Sequence, residues 1–176
     1  MRFIARGGAD QVVGEALAHA DALYNLARWL VRDPPEAEDL VQETYARALG
    51  AAHQFEKGTN LKAWLFRILR NVFLDSRRRA GPQVEMPVED VEEIGGPGQE
   101  TVDESESTQM RALVAEEVAE AVRTLPEAWR TAILLDLEGL TEAEMASVLG
   151  CAGGTVKSRL SRARAVLRER LAGHRP

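Results

Sequence analysis

Residues 81–110 carry nine acidic residues and no lysine or arginine, with three of the chain's prolines and four of its glycines among them. No apolar period runs through them. Such a stretch cannot bury enough apolar surface to offset the entropy of ordering it, so it reads as a flexible acidic linker. It divides a chain of 176 residues into an N-terminal unit over residues 12–80 and a C-terminal unit over residues 111–173. Units of that size can build a core only from a few closely packed elements. Ala, Leu, Arg and Glu dominate both, and aromatic residues make up only 5%, a balance that favours helix over strand. The fold class expected is therefore all-α: two small helical domains joined by the linker. The first residues, Met1 to Gly14, show no pattern and are expected to be loose.

Several classes of protein are disfavoured at once. No run approaches the roughly 20 apolar residues of a membrane helix, so no membrane insertion is expected. The N-terminus lacks the apolar core of a secretory signal. Cys151 is the one cysteine, which rules out an intrachain disulfide and a cysteine zinc site. His19, His53 and His174 are scattered and suggest neither a metal site nor a catalytic pair. The expectation is a cytoplasmic protein without catalytic residues, metal or cofactor.

In the N-terminal unit, Asp33-Pro34-Pro35-Glu36 is a helix start, with an acidic N-cap and proline in the first turn. Ala37, Leu40, Val41, Thr44, Tyr45, Ala48 and Leu49 follow as its apolar face. Ala16, Ala20, Leu23, Tyr24, Ala27, Leu30 and Val31 make a similar face before it. After Gly58-Thr59-Asn60, the stripe Leu61, Trp64, Leu65, Ile68, Leu69, Val72 and Phe73 predicts a third helix, whose far side presents Lys62, Arg67, Arg70, Asn71 and Arg78. Trp64 belongs to the stripe and reads as core. Phe55 reads either as an exposed stacking aromatic or as a hydrophobic staple.

The C-terminal unit opens with a helix through Leu113, Val114, Glu117, Val118, Ala121 and Val122. Leu125-Pro126-Glu127 ends it and starts another, carrying Trp129, Ala132, Ile133, Leu135 and Leu137 as far as Gly139. Thr141-Glu142-Ala143-Glu144 spells a capping box for a short helix that stops at Gly150. A last helix starts near Gly154-Thr155 and reaches about Leu171, with Val156, Leu160, Ala163 and Leu167 inward.

Charge is segregated along the chain. The net charge is −6 overall, yet residues 61–80 carry +5 and residues 153–176 carry +6. Local field, not net charge, governs contact with phosphate. A capped short helix, a glycine turn and a basic second helix form the pattern of a helix-turn-helix. Ala146 permits close approach, Gly150 supplies the turn, and Met145, Leu149, Cys151, Val156 and Leu160 fill the space between the helices. Thr155, Lys157, Ser158, Arg159, Ser161, Arg162 and Arg164 then face outward, as donors for phosphates and for guanine edges in a major groove.

These motifs resemble a known family. Leu125-Pro126, Leu140-Thr141-Glu142-Ala143-Glu144-Met145-Ala146 and Gly154-Thr155-Val156-Lys157-Ser158-Arg159-Leu160-Ser161-Arg162-Ala163-Arg164 resemble region 4 of bacterial sigma factors. Ala37-Glu38-Asp39-Leu40-Val41-Gln42-Glu43-Thr44-Tyr45, Leu61-Lys62-Ala63-Trp64-Leu65-Phe66-Arg67-Ile68 and Asp75-Ser76-Arg77-Arg78-Arg79 resemble region 2. Both in this order resemble the extracytoplasmic-function (group 4) sigma factors.

The resemblance implies a factor that binds core RNA polymerase and directs promoter recognition and transcription initiation. It implies that Asp39, Gln42 and Glu43 dock on the β′ coiled coil, and that the β flap is a second polymerase surface. It implies that Lys57, Thr59, Asn60, Lys62, Arg67 and Asn71 hold a −10-type element as an opened strand. It implies that Thr155, Lys157, Ser158, Arg159 and Arg162 meet a −35-type element, and that an anti-sigma factor is a partner. The acidic linker is expected to shield the basic faces from DNA in the free protein. A freestanding helix-turn-helix regulator would leave the N-terminal motif without purpose. A sigma mimic that binds only an anti-sigma factor would not need Lys157, Arg159, Arg162 and Arg164. An enzyme is the weakest option, because no nucleophile–base pair, metal set or phosphate loop can be assembled.

Overall fold

A computed structural model describes residues 12, 14–31, 33–81 and 106–172, with the backbone alone for residues 106–112. Seven α-helices have defined bounds: α1 Ala20–Leu30, α2 Pro34–Gly50, α3 Leu61–Arg79, α4 Glu106–Arg123, α5 Glu127–Leu137, α6 Glu142–Leu149 and α7 Gly153–Leu171. A single 3-10 turn, Ala52–Gln54, lies between α2 and α3. No strand occurs among the described residues, in agreement with the all-α expectation. Of the expected linker, residues 82–105 lie outside the described residues, and α4 begins inside the stretch, at Glu106.

Local chemistry sets the helix ends. Asp33 accepts a hydrogen bond from the Glu36 amide at 3.2 Å, and Pro34 and Pro35 occupy the first turn of α2, where a missing N–H costs nothing. Asn60 caps α3 by accepting from the Ala63 amide at 3.2 Å. Each cap satisfies a donor that the first helical turn otherwise leaves unpaired.

The N-terminal unit packs α1 on α2, and α3 on both. Leu23, Ala27, Ala37, Leu65, Phe66 and Leu69 lose all contact with water. Burying side chains such as Leu and Phe contributes about 1.5–3 kcal/mol each. Thr44 lies within that core and donates its hydroxyl to the Leu40 carbonyl at 2.7 Å, so it is buried without an orphaned group. Tyr45 reaches the carbonyl of Ala16 at 3.0 Å, and its partial burial raises the cost of ionising the phenol.

Two details differ from the sequence expectation. Leu49 is 53% exposed; nine residues from Leu40 is two and a half turns, which carries it to the opposite side of α2. Phe55 is half-buried and packs on Trp64, ring centroids 5.3 Å apart, so it serves the core and not a free stacking surface.

In the C-terminal unit, α7 packs on α5, α6 and the end of α4. Leu135, Met145, Val148, Val156 and Ala163 are fully or almost fully buried, while Leu167 is half-buried. Leu113, Val114 and Val118 of α4 are exposed, and burial on that helix begins at Ala121 and Val122.

The two units also pack on each other. α3 lies along α6, α1 touches α5, and the buried residues of both units belong to one connected cluster.

Candidate nucleic-acid interface

The helix-turn-helix forms as its residues dictate. The Thr141 hydroxyl accepts from the Glu144 amide at 3.3 Å, and the Glu144 carboxylate accepts from the Thr141 amide at 2.8 Å, completing the capping box. Those donors, with Asn60 adding a further hydrogen bond, hold the Glu144 carboxyl below the usual carboxylate range. Gly150 sits at φ 61° and ψ 39°, a left-handed conformation that side chains disfavour. The Cys151 amide then closes back onto the Ala146 carbonyl at 3.1 Å. The turn sets α7 against α6 with Met145, Leu149, Val156 and Leu160 buried between them.

The expected recognition face is not uniform. Lys157, Ser158 and Arg162 are exposed on α7. Lys157 lies 3.4 Å from the Glu142 carboxylate, and the Ser158 hydroxyl donates to the Thr155 carbonyl at 2.9 Å. Thr155 and Arg159 are only half-exposed, and the Arg159 guanidinium reaches the Cys151 sulfur at 3.7 Å. Arg164 is held by Asp136 of α5 at 2.7 Å. The exposed polar side chains of the expected set at the N-terminal half of α7 are therefore Lys157, Ser158 and Arg162.

The residues expected at the opened strand separate into two groups. Lys57, Thr59, Arg67 and Asn71 are exposed. Thr59 stiffens its loop by donating to the Glu56 carbonyl at 2.7 Å. Asn60 is exposed as well, whereas Lys62 meets the C-terminal unit. Lys62 donates to the main-chain carbonyl of Glu138 at 3.0 Å and pairs with that residue's carboxylate. Asn60 caps α3 and helps hold the Glu144 carboxyl low.

Sequence reasoning missed what Lys62 belongs to. Lys62, Phe66, Arg70, Phe73 and Arg77 share one side of α3, away from Arg67, Asn71 and Arg78. Lys62 stands 5.9 Å above the Phe66 ring and Arg77 stands 5.5 Å from the Phe73 ring. Arg77 also pairs with Glu127 of α5 at 2.6 Å. Arg70, between them, feels the like charge of Arg159 on α7, and burial together with that charge disfavours its charged form. Arg123 of α4 lies 5.8 Å from the Trp29 ring of α1. The available signal was Phe66, a large apolar residue outside the expected stripe, which demands a second packed face.

On α2, Asp39, Gln42 and Glu43 are exposed on one side of the helix. Glu43 is engaged by Arg47 at 2.8 Å, which leaves Asp39 and Gln42 as the more available pair. Among the described residues, no group of three or more His, Cys, Asp or Glu is placed to hold a metal ion, and no helix is long and apolar enough to cross a membrane.

The described residues form two helical units, a three-helix bundle followed by a helix-turn-helix, and comparison with known proteins shows the class to which that order belongs. Sigma-70 region 2 matches residues 16–82 and sigma-70 region 4 matches residues 115–167. The ECF RNA polymerase sigma factor EcfG of Rhodopseudomonas palustris is 38% identical over 90% of this chain and 83% of its own length. The ECF sigma factor SigE of Mycolicibacterium smegmatis is 37% identical over 89% of this chain, which spans only 60% of that longer protein. Among solved structures, sigma factor RpoE of Bartonella quintana, in complex with the anti-sigma factor NepR, superposes with a TM-score of 0.71. It is 36% identical over 92% of this chain and 97% of its own. CnrH, in complex with the cytosolic domain of CnrY, gives a TM-score of 0.60 at 26% identity, over 95% and 96%. The chain belongs to the extracytoplasmic-function RNA polymerase sigma factors of the sigma-70 family, which act in promoter recognition and transcription initiation.

Proposed function

We propose that this sigma factor reads two promoter elements with two separate basic faces. Residues 111–173 form the domain that presents α7 to a −35-type element, with Thr155, Lys157, Ser158, Arg159 and Arg162 as its contact set. Residues 12–80 form the domain that holds a −10-type element through Lys57, Thr59, Asn60, Lys62, Arg67 and Asn71. The intervening linker, 81–110, spans the distance between them. Ahead of α4 it has about 25 residues, and a flexible coil of that length has a typical span of roughly 25–30 Å, close to the roughly 34 Å of one DNA turn.

Asp39, Gln42 and Glu43 dock on the β′ coiled coil of core polymerase, with the β flap as the second polymerase surface. The protein works in the cytoplasm and performs no catalysis of its own. The complexes of its structural neighbours with NepR and with CnrY support an anti-sigma factor as a further partner. The observation that carries the reading is the capped helix-turn-helix whose second helix exposes Lys157, Ser158 and Arg162. Runoff transcription with core polymerase tests it. Product from a cognate promoter only when this protein is added supports the reading, and product independent of it overturns the reading.

A further inference from the structure

We infer that the guanidinium groups of Arg70 and Arg159, beside the Cys151 thiol, form a binding site for a small phosphate-type anion where α3 meets the turn between α6 and α7. The inference does not depend on which promoter elements the protein reads.

The side of α3 that meets the C-terminal unit carries three cations in a row. Lys62 at one end is paired with Glu138, and Arg77 at the other is paired with Glu127 at 2.6 Å. Arg70 stands about two turns from each. It is half-buried, yet among the described residues it forms no ion pair. Burial disfavours its charged form, and the like charge of Arg159 adds to that effect. Glu127 acts on it in the other direction but is already engaged by Arg77.

Arg159 is in the same position. It is half-buried, forms no ion pair among the described residues, and turns its Nη1 towards the Cys151 sulfur at 3.7 Å. A thiol is a weak acceptor and satisfies little of a guanidinium. Cys151 also acts on Arg70, so the three side chains converge just after the left-handed turn at Gly150. Two partly desolvated cations without a counter-charge are costly, and an anion between them offsets that cost.

The chemistry of the pair selects the ligand. Each guanidinium presents a rigid fork of N–H donors that matches the oxygens of a phosphate. A phosphate group carries about −1.5 to −2 charges at neutral pH and has enough oxygens to accept a fork from each arginine, whereas a carboxylate brings a single charge. The bound anion cancels the repulsion between Arg70 and Arg159 and covers the thiol beside them.

Cys151 is the one cysteine of the chain, so its alkylation by neutral iodoacetamide reports on the site directly. The probe is inorganic phosphate, added to the full-length protein against chloride of equal ionic strength. With a dissociation constant on the order of 1 mM, about 10 mM phosphate slows alkylation roughly tenfold. Arg70→Gln and Arg159→Gln are each expected to abolish the protection, and Arg78→Gln, which removes an exposed arginine of the same helix, to keep it. Alkylation of the parent protein at the same rate in phosphate and in chloride overturns the site without recourse to any variant. Protection that survives Arg70→Gln assigns the anion to Arg159 alone and also overturns it. A −35-type duplex is the second probe. If the duplex protects Cys151 through both arginines and phosphate does not, the phosphoryl group is that of DNA, and the small-anion site is overturned.

Discussion

Arg47 of α2 bonds Asp75 of α3 through its Nη1 at 2.8 Å while its Nε holds Glu43 of its own helix at the same distance. One guanidinium therefore ties α2 to α3. Arg47 keeps the Asp75 carboxyl below the usual carboxylate range, with Arg78 contributing in the same direction. A depressed folded-state value means that the stabilisation is present above the ordinary carboxylate value of about 4 and is lost as pH falls through the depressed one. Asp75→Asn is expected to lower the melting temperature at pH 7, with the gap to the parent protein closing in strong acid. Thermal melts from pH 7 to pH 2 check this, and a gap that widens with acid would reverse the assignment.

Base reading is expected from Arg162, which is exposed on α7 and stands outside the ion pairs that Glu142 makes with Lys157 and Asp136 with Arg164. A bidentate contact to guanine contributes about 1–3 kcal/mol of discrimination. Arg162→Ala should weaken −35-type binding and relax the preference at one base pair. Binding measured across a set of single-base variants of the element checks it. Uniform weakening with a shallower salt dependence would make Arg162 a phosphate contact instead.

Polymerase binding is expected to fail in Asp39→Ala with Gln42→Ala. Both side chains are exposed, and neither supports the core that Leu40 and Thr44 build from the same helix. Circular dichroism should remain that of the parent protein while a pull-down with core enzyme loses the sigma factor. Normal recovery would place the β′ contact elsewhere.

At the turn of the helix-turn-helix, Gly150→Ala is expected to destabilise the C-terminal unit by about 1 kcal/mol. The cost is conformational alone, since a Cβ there would meet no atom within 4 Å while φ stays at +61°. Gly150→Asn should cost less, because asparagine tolerates the left-handed region. Urea unfolding of the two variants checks the order, and equal loss in both would point to a clash in place of backbone strain.

The amino-acid sequence alone determines those features whose partners lie within a turn or two along the chain. Asp33, Asn60 and Thr141 cap their helices because each needs only the amide three residues on. Gly150 ends α6 because its own backbone freedom decides the turn, and the apolar periods of α1, α2, α3 and α7 place most of the core. The family was legible for the same reason, since its motifs are contiguous. Tertiary structure decided what α3 does with its cations. Lys62 and Glu138 are 76 residues apart, with the undescribed stretch 82–105 between them, and no local period relates two such positions. The sequence pattern placed Lys62 with Arg67 and Asn71 on one polar side, yet a helix has room for two packed faces. Phe66, fully buried outside the expected stripe and beneath Lys62, marks that second face.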